Sequence, residues 1–560
     1  MEPGILYGLC ALTMMVIANV LRIKCMVRKE WSLPLIVLLV SVAVFASIPL
    51  LLLFPVLWAY RELVKTYLKL KHGSKFVGLI TGADVIYTCG EHEKSIITIL
   101  FMLKCSNTQK PEDVYDHFKG SIFKAAFSNI RELQAFRSGV KRCGGYSYMC
   151  KEDVTVDDCV RKMEVMKCER DKLSENELKT LLHNCISEKF PKNNTLFMDT
   201  FVGTQPVVWN GCSDKNVHYY PALVRLHHAM CDGFAVTQIF AVMGDKSKEA
   251  DERSKTAYFE KLNQGSIREM VLNYFVMSLC TMIFTPSELL LKVIFKKPKP
   301  NILRGPELSG VDVLSMKTDD GQYYKRIKKI KSVLSGVGFA DIVLTALSAS
   351  LKDYFQNHSS YHPKSISVVV PFLSKASIIP QLPIGQLTPC DISLKNSFAM
   401  LTFDLPLFLG DNNNQLCLMQ RLHEVKKQSK RAYNSIGNKI LYFLSHFLIQ
   451  FLPLPILTKL HDKLHWSAII SVLPGPPQTS IADNNAEIEN IVFWAPLLSG
   501  MGINVSILSY ANKMQLGLKV DKALIQNEED AQGILDGVFK YIDLFEEEIS
   551  LGKSKLVQVF

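Results

Sequence analysis

The residues best suited to chemistry lie in one run, Pro221-Ala-Leu-Val-Arg-Leu-His227-His228-Ala-Met-Cys-Asp232-Gly233. An apolar stretch with strand character, Tyr220 to Leu226, ends in two histidines, and a short turn then ends in Asp-Gly. Imidazole is the usual base for taking a proton from a hydroxyl near neutral pH, because its pKa lies close to that range. Successive strand residues point to opposite faces, so His227 and His228 are badly placed to share one ion, and no metal is expected. One of them can face a cleft while the other faces structure. Asp232 is close enough to stiffen the turn through a hydrogen bond or an arginine partner. Gly233 permits an unusual backbone angle or leaves room for a bulky ligand. A lone histidine at a strand end is usually a satisfied core residue. The whole heptad, set between an apolar strand and a helix from Phe234 to Met243, reads instead as a proton-transfer site.

Other chemistries fit less well. His227 and Asp232 have the His-x-x-x-x-Asp spacing of glycerolipid acyltransferases, but the Phe-Pro-Glu-Gly run that accompanies it there is absent from the sequence. There is no Gly-x-Ser-x-Gly elbow to present a nucleophilic serine. Cys231 lies inside the heptad with nothing to activate it, so it reads as filler. The 14 cysteines include Cys143, Cys150, Cys159 and Cys168 in a short window, without the Cys-x-x-Cys pair of a zinc site. Free thiols in a reducing compartment are the expectation. Asn193, Asn357 and Asn504 open Asn-x-Ser/Thr triplets, which matter only on a luminal surface.

The elements that must position the heptad follow from hydrophobic spacing. A turn over Leu79 to Tyr87 leads to a strand over Ser95 to Leu103, and helices are expected over Lys110 to Phe127 and Glu175 to Phe190. Beyond Lys75 the composition is that of an α/β protein. A second α/β half carries a helix from Phe339 to Phe355 and strands at Ile366 to Val370, Ile491 to Phe493 and Ile503 to Leu508. Asn527 to Ser550 has Ile534, Leu535, Val538, Ile542 and Phe545 on one side of a closing helix. Between the halves, Leu272 to Phe284 and Leu289 to Phe295 are apolar and separated by Pro286. Pieces that short predict a crossover helix or an in-plane membrane contact rather than two spans.

The chain begins with two apolar runs, Ile5 to Leu21 and Leu35 to Tyr60. A spanning helix needs roughly 20 apolar residues, so the second suffices and the first is marginal. Arg22, Lys24, Arg28 and Lys29 lie between them, and Arg61, Lys65, Lys69 and Lys71 follow. Positive charge on both sides gives no clean orientation. A helical hairpin is expected, leaving the body on the cytosolic side, where acyl thioesters are made; a single span with a luminal body is the alternative. With 48% hydrophobic residues over 560 positions and a mean hydropathy of +0.13, the chain is too apolar for a simple soluble enzyme. It is also too polar to be mostly membrane. The net charge of +11 suits an anionic membrane surface. No basic stripe interleaved with aromatics is present, so nucleic acid is not an expected partner.

His227-His228-x-x-x-Asp232-Gly233 resembles the active-site motif of the acyl-CoA-dependent acyltransferases related to chloramphenicol acetyltransferase and condensation domains. Further segments resemble the wax ester synthase/diacylglycerol acyltransferase family. Pro206-Val-Val-Trp209 is similar to its Pro-Leu-Trp segment. Ala340-Asp341-Ile-Val-Leu344 is similar to its Asn-Asp helix start, with Ala340 in place of asparagine. Lys395-Asn396-Ser-Phe398 and Asp404-Leu-Pro406 match its Gly-Asn-x-Phe and Leu-Pro strand. Ser471-Val-Leu-Pro474-Gly475-Pro476 resembles its Ser-Asn-Val-Pro-Gly-Pro signature, with Val472 in place of asparagine. Ser506-Ile-Leu-Ser-Tyr510 and Asp521 continue the pattern.

The resemblance implies a two-lobed α/β fold with mixed sheets and a central tunnel, here with N-terminal transmembrane helices. It divides the chain into a membrane anchor (1–74), an N-terminal acyltransferase lobe (75–265), an apolar crossover (266–300) and a C-terminal lobe (301–560). His228 would take the acceptor's hydroxyl proton, with His227, Asp232 and Gly233 in support. Acyl-CoA would be a co-substrate and no cofactor would be needed. The expected acceptor is a long-chain alcohol, giving a wax ester; the alternatives are diacylglycerol, giving triacylglycerol, and a silent relative that binds lipid or a partner. The expected location is the endoplasmic reticulum membrane, with plasma membrane or lipid droplet as alternatives.

Overall fold

In the computed structural model, residues 3–550 are described apart from 28–30, 107–109, 127–134, 168–170, 192–194, 210–215, 244–266, 296–300, 305, 374–393, 410–417, 462–465, 476–477, 482–485 and 499. Pro476 and Cys168 fall outside the described residues.

Fifteen strands are described, making three sheets. The smallest has β1 (Phe76–Leu79) beside β4 (Tyr146–Lys151), which pairs in turn with β3 (Ser138–Cys143). The first large sheet contains β2 (Ile96–Ser106), β5 (Val160–Lys162), β6 (Met198–Val202), β7 (Val217–His227), β12 (Ser480–Ile481) and β13 (Ala486–Trp494). Its order is β12-β13-β2-β7-β6-β5. The second contains β8 (Asp312–Thr318), β9 (Ser365–Leu373), β10 (Phe398–Pro406), β11 (Ala468–Pro474), β14 (Ile503–Tyr510) and β15 (Lys513–Asp521), in the order β10-β9-β11-β14-β15-β8. Both large sheets mix parallel and antiparallel pairs.

The largely apolar run of β2, interrupted at Thr98, follows from its place between β7 and β13, with buried core on both faces. The helix Glu528–Ser550 buries Ile534, Leu535, Val538, Ile542 and Phe545 against the second sheet and the helix Phe339–His358. This is the stripe its spacing predicts.

Two sequence expectations need correction. Residues 480–494 belong to the C-terminal lobe by position, yet β12 and β13 complete the first sheet and pair with β2. A linear boundary cannot anticipate this, since strand partnership is a non-local choice that an apolar alternation does not encode.

The second correction concerns Pro286. It does not split the middle segment: Ile267–Leu290 is one helix of 24 residues, continued by a π turn at Leu291–Phe295. A proline inside a helix frees backbone groups that must find other partners. They find them on the first helix, Pro3–Met26. The Asn19 side chain donates to the Ile283 carbonyl (2.7 Å) and accepts from the Ser287 N–H (3.0 Å), backbone groups on either side of Pro286. Arg22 donates to the Phe284 carbonyl and pairs with Glu288. The first helix runs past Leu21 to Met26, and Arg22 has its partners on the middle helix.

The second N-terminal helix spans Leu33–His72, 40 residues with Pro49 and Pro55 inside. Both N-terminal helices are long and apolar enough to cross a membrane, by length and composition. At about 1.5 Å per residue, the second is roughly twice the thickness of a hydrocarbon core. Its far end packs on the body, with Val64 and Leu68 against Leu79, Tyr146 and Tyr148.

Candidate active site

Strand β7 ends at His227, and three backbone bonds turn the chain there. The His227 N–H donates to the Phe197 carbonyl (2.7 Å), the His228 N–H to Ser95 (2.8 Å), and the Met230 N–H to His227 (2.9 Å). Asp232 then caps the helix Gly233–Met243, its Oδ1 accepting from the Ala235 N–H at 2.8 Å. The other oxygen, Oδ2, accepts from the Ser397 N–H at 2.8 Å. One carboxylate thus fixes the helix start and ties the heptad to the segment leading into β10. Gly233 is needed for close approach, because a Cβ there would overlap Leu473 of β11.

The two histidines diverge, as alternation requires. His227 is buried beside His92, with ring centroids 4.4 Å apart, and its Nδ1 accepts from the Ala229 N–H at 3.1 Å. It lines a surface cleft of about 860 Å³ together with Tyr87, His92 and Arg142. His228 lies on the other side. Its ring stacks flat on Tyr87, at 3.9 Å and 3°, with the Phe398 ring edge-on at 6.0 Å. Its Nδ1 has no hydrogen-bond partner among the described residues.

Burial pushes the His228 imidazole down to about 4 and His227 well below its ordinary range. Both are neutral near pH 7, the state in which an imidazole can accept a proton. Burial also pushes the Cys231 thiol well up, so it stays protonated and poorly nucleophilic.

Asn396 is the hub of the site. Its Nδ2 donates to the His228 carbonyl (2.7 Å) and to Asp84 Oδ1 (2.7 Å), and its N–H donates to the same Asp84 oxygen (3.0 Å). Burial raises Asp84 to about 7, although the bonds from Asn396 oppose the rise. His446 closes the other side, with Nε2 3.2 Å from the Asn396 carbonyl and Nδ1 2.9 Å from that of Tyr442.

Of the residues singled out in the sequence, His227, His228, Asp232, Gly233 and Asn396 come together. Pro474 and Gly475 follow Leu473 at the end of β11, where the Gly475 N–H donates to the Ser509 carbonyl at 2.7 Å. A Cβ at Gly475 would collide with that same oxygen. Trp209 is placed elsewhere, its indole donating to Asn490 (2.7 Å) in a core with Tyr219 and Trp494. Asp341 caps its own helix through the Gly338 N–H (2.8 Å). Sequence reasoning missed Asp84, Tyr87 and His446. Nothing in their local spacing marks them, because each reaches the site through a tertiary contact.

The WS/DGAT C-terminal domain model matches residues 394–539, a span that contains Asn396, His446, Pro474 and Gly475 but not His227 or His228. Over 351 residues the chain is 22% identical to the O-acyltransferase WSD of Acinetobacter baylyi, covering 58% of this chain and 70% of that one. It is 23% identical over 337 residues to wax ester synthase/diacylglycerol acyltransferase 9 of Arabidopsis thaliana, covering 54% and 66%. Among solved structures, the wax ester synthase/diacylglycerol acyltransferase from Marinobacter aquaeolei VT8 aligns with a TM-score of 0.51 at 14% identity, covering 85% of this chain and 100% of that one. A trichothecene 15-O-acetyltransferase from Fusarium sporotrichioides aligns at 0.53 with 11% identity, covering 83% and 95%. These two likenesses show the fold. Over residues 394–539 the chain is similar to the C-terminal domain of the wax ester synthase/diacylglycerol acyltransferase family, and over more than half its length it is similar to O-acyltransferases of that family.

Proposed function

We propose that the protein transfers a long-chain acyl group from acyl-CoA to a fatty alcohol, forming a wax ester, with His228 as general base. The observation that carries this is the neutral His228 at the end of β7, its backbone fixed by Asn396 and its ring by Tyr87. The neutral imidazole takes the hydroxyl proton as the alcohol oxygen bonds to the thioester carbonyl carbon. The tetrahedral intermediate collapses, the C–S bond breaks, and the thiolate of CoA recovers the proton from the imidazolium. The two substrates meet in a tunnel between the lobes. His227, Asp232 and Gly233 support the base without touching the reacting atoms. No cofactor takes part.

The apolar N-terminal hairpin favours a lipid acceptor over a small polar one, and diacylglycerol is the second acceptor consistent with the family. The hairpin crosses the endoplasmic reticulum membrane and leaves the body on the cytosolic side; plasma membrane and lipid droplet are the alternatives. Protection of the body from added protease in sealed microsomes would refute that topology.

Thin-layer analysis of lipids from cells lacking neutral-lipid synthesis tests the activity, with fatty alcohol supplied. Wax ester from the wild type and none from His228→Ala is the expected result. Triacylglycerol alone would replace the acceptor with diacylglycerol, and no new ester from folded protein would remove the reading.

A further inference from the structure

The segment 436–451 hangs from the apolar helices at both ends and carries His446 in its middle. At its start, the helix Ile436–Phe443 meets the helix Ile267–Leu290, where a Cβ on Gly437 would come within 2.6 Å of Glu288 Oε1. Glu288 is itself paired with Arg22 of the first helix. At its end, Phe451 packs edge-on against Phe54 of the second helix at 4.9 Å. Between these supports, His446 sits against the Asn396 carbonyl.

Arg61 joins this segment to the other side of the site. It is the first charged residue after an uncharged run from Trp31 to Tyr60. A residue that only met a membrane surface would stay exposed, as Lys65, Lys69 and Lys71 do; Arg61 is buried, at 6% exposure. Its Nε donates to the Gln450 carbonyl (3.1 Å) and its Nη2 to the Ile80 carbonyl (3.4 Å). Its guanidinium lies over the Phe451 ring. The Gln450 side chain in turn accepts from the Gly82 N–H at 3.4 Å. Gly82 has φ +59°, and the His446 carbonyl stands 3.2 Å from where its Cβ would be. Gly82 opens the short 3-10 helix Gly82–Thr88, which carries Asp84 and Tyr87. Arg61 therefore bridges the segments that present Asp84 and Tyr87 on one side and His446 on the other.

We propose that Arg61 is a positioning residue, and that through it the apolar hairpin forms part of the active-site scaffold as well as an anchor. This rests on the reading of His228 as the base. Arg61 acts by holding the partners of Asn396, which fixes the His228 carbonyl, and by seating Tyr87 on the His228 ring.

The test compares full-length wild type, Arg61→Ala and Arg61→Lys in membranes. Misplacing a catalytic group by a fraction of an ångström to an ångström costs on the order of ten- to a hundred-fold in turnover. Arg61→Ala should lose kcat on that scale, with the KM for acyl-CoA unchanged within about two-fold. Arg61→Lys, which keeps one donor for the Gln450 carbonyl, should recover part of it, and all three proteins should stay in the membrane fraction. Hydrogen exchange supplies a readout independent of ester formation: amides of Gly82 and residues 444–451 should exchange faster in Arg61→Ala than in wild type. Wild-type kcat with unchanged exchange would overturn the proposal, as would a loss that lysine does not recover at all. If Arg61→Ala does not accumulate, Arg61→Gln is read by the same kcat, KM and exchange criteria against wild type and Arg61→Lys. If the wild type forms no ester, the proposed function falls, and the exchange comparison still decides the role of Arg61.

Discussion

The side-chain amide of Asn396 donates to the main-chain carbonyl of His228 at 2.7 Å, across 168 residues of sequence. It leads into β10 of the second sheet, whereas His228 follows β7 of the first. The bond therefore crosses the boundary between the lobes and sets the backbone of the base from the other side. With Asp232 accepting from the Ser397 N–H, neighbouring residues of one lobe grip both ends of the heptad.

The first prediction concerns the base. Removing a general base costs typically 10²- to 10⁴-fold, so His228→Ala should lower turnover by about a hundred-fold or more in folded protein. Near-wild-type turnover would take His228 out of the mechanism.

The Asn396 hub separates geometry from charge. Both of its bonds to Asp84 end on one oxygen, Oδ1. Asp84→Asn keeps an oxygen there and should leave turnover within a few-fold of wild type. Asn396→Ala removes the side-chain donor to the His228 carbonyl and leaves Asp84 Oδ1 only the backbone N–H of residue 396, and should destabilise the fold by about 1–3 kcal/mol while lowering kcat. Chemical denaturation beside steady-state kinetics checks both; a severe loss in Asp84→Asn would show that the charge itself matters.

Gly233 and Leu473 should behave as a coupled pair. A Cβ at Gly233 overlaps Leu473, so Gly233→Ala should cost about 1–3 kcal/mol by overpacking. In the Leu473→Ala background that substitution should cost much less. Additive effects in the double-mutant cycle would mean that the two do not meet.

Acid should act on stability before it acts on the base. His92 and His228 are held at about 4, and His227 is lowered as well, all mainly by burial. Unfolded histidines take up protons near 6.5. Between about 6.5 and 4 the unfolded chain therefore binds more protons, and the stability present above 6.5 is lost as pH falls. Asp84, raised to about 7, acts in the opposite sense: between 3.8 and 7 the folded state holds the extra proton, which opposes the loss. Three histidines outnumber one aspartate, so Tm should fall below pH 6.5. His92→Phe, which keeps the ring contacts, should flatten that fall; an unchanged slope would rule out His92 as a contributor. In folded protein, kcat/KM should hold down to well below 6.5, because His228 remains neutral.

The sequence by itself determined what is local. An apolar strand ending in His-His, a turn, and Asp-Gly before a helix is a backbone pattern with a chemical reading, and strand alternation alone sends His227 and His228 to different faces. The apolar stripe of Glu528–Ser550 and the two long N-terminal helices follow in the same way from periodicity and length. What the tertiary structure decided is everything that depends on partners. β13 pairs with β2 of the first sheet as well as with its neighbour β12, and Asn19 bonds the Ile283 carbonyl and the Ser287 N–H beside Pro286 within an unbroken helix. Asp84, Tyr87 and His446 carry no mark in the sequence, and Arg61 is marked there only as a charge that follows an apolar run. Each acts through a hydrogen bond or a ring contact to a residue far along the chain, and such contacts exist only once the sheets and apolar helices have packed.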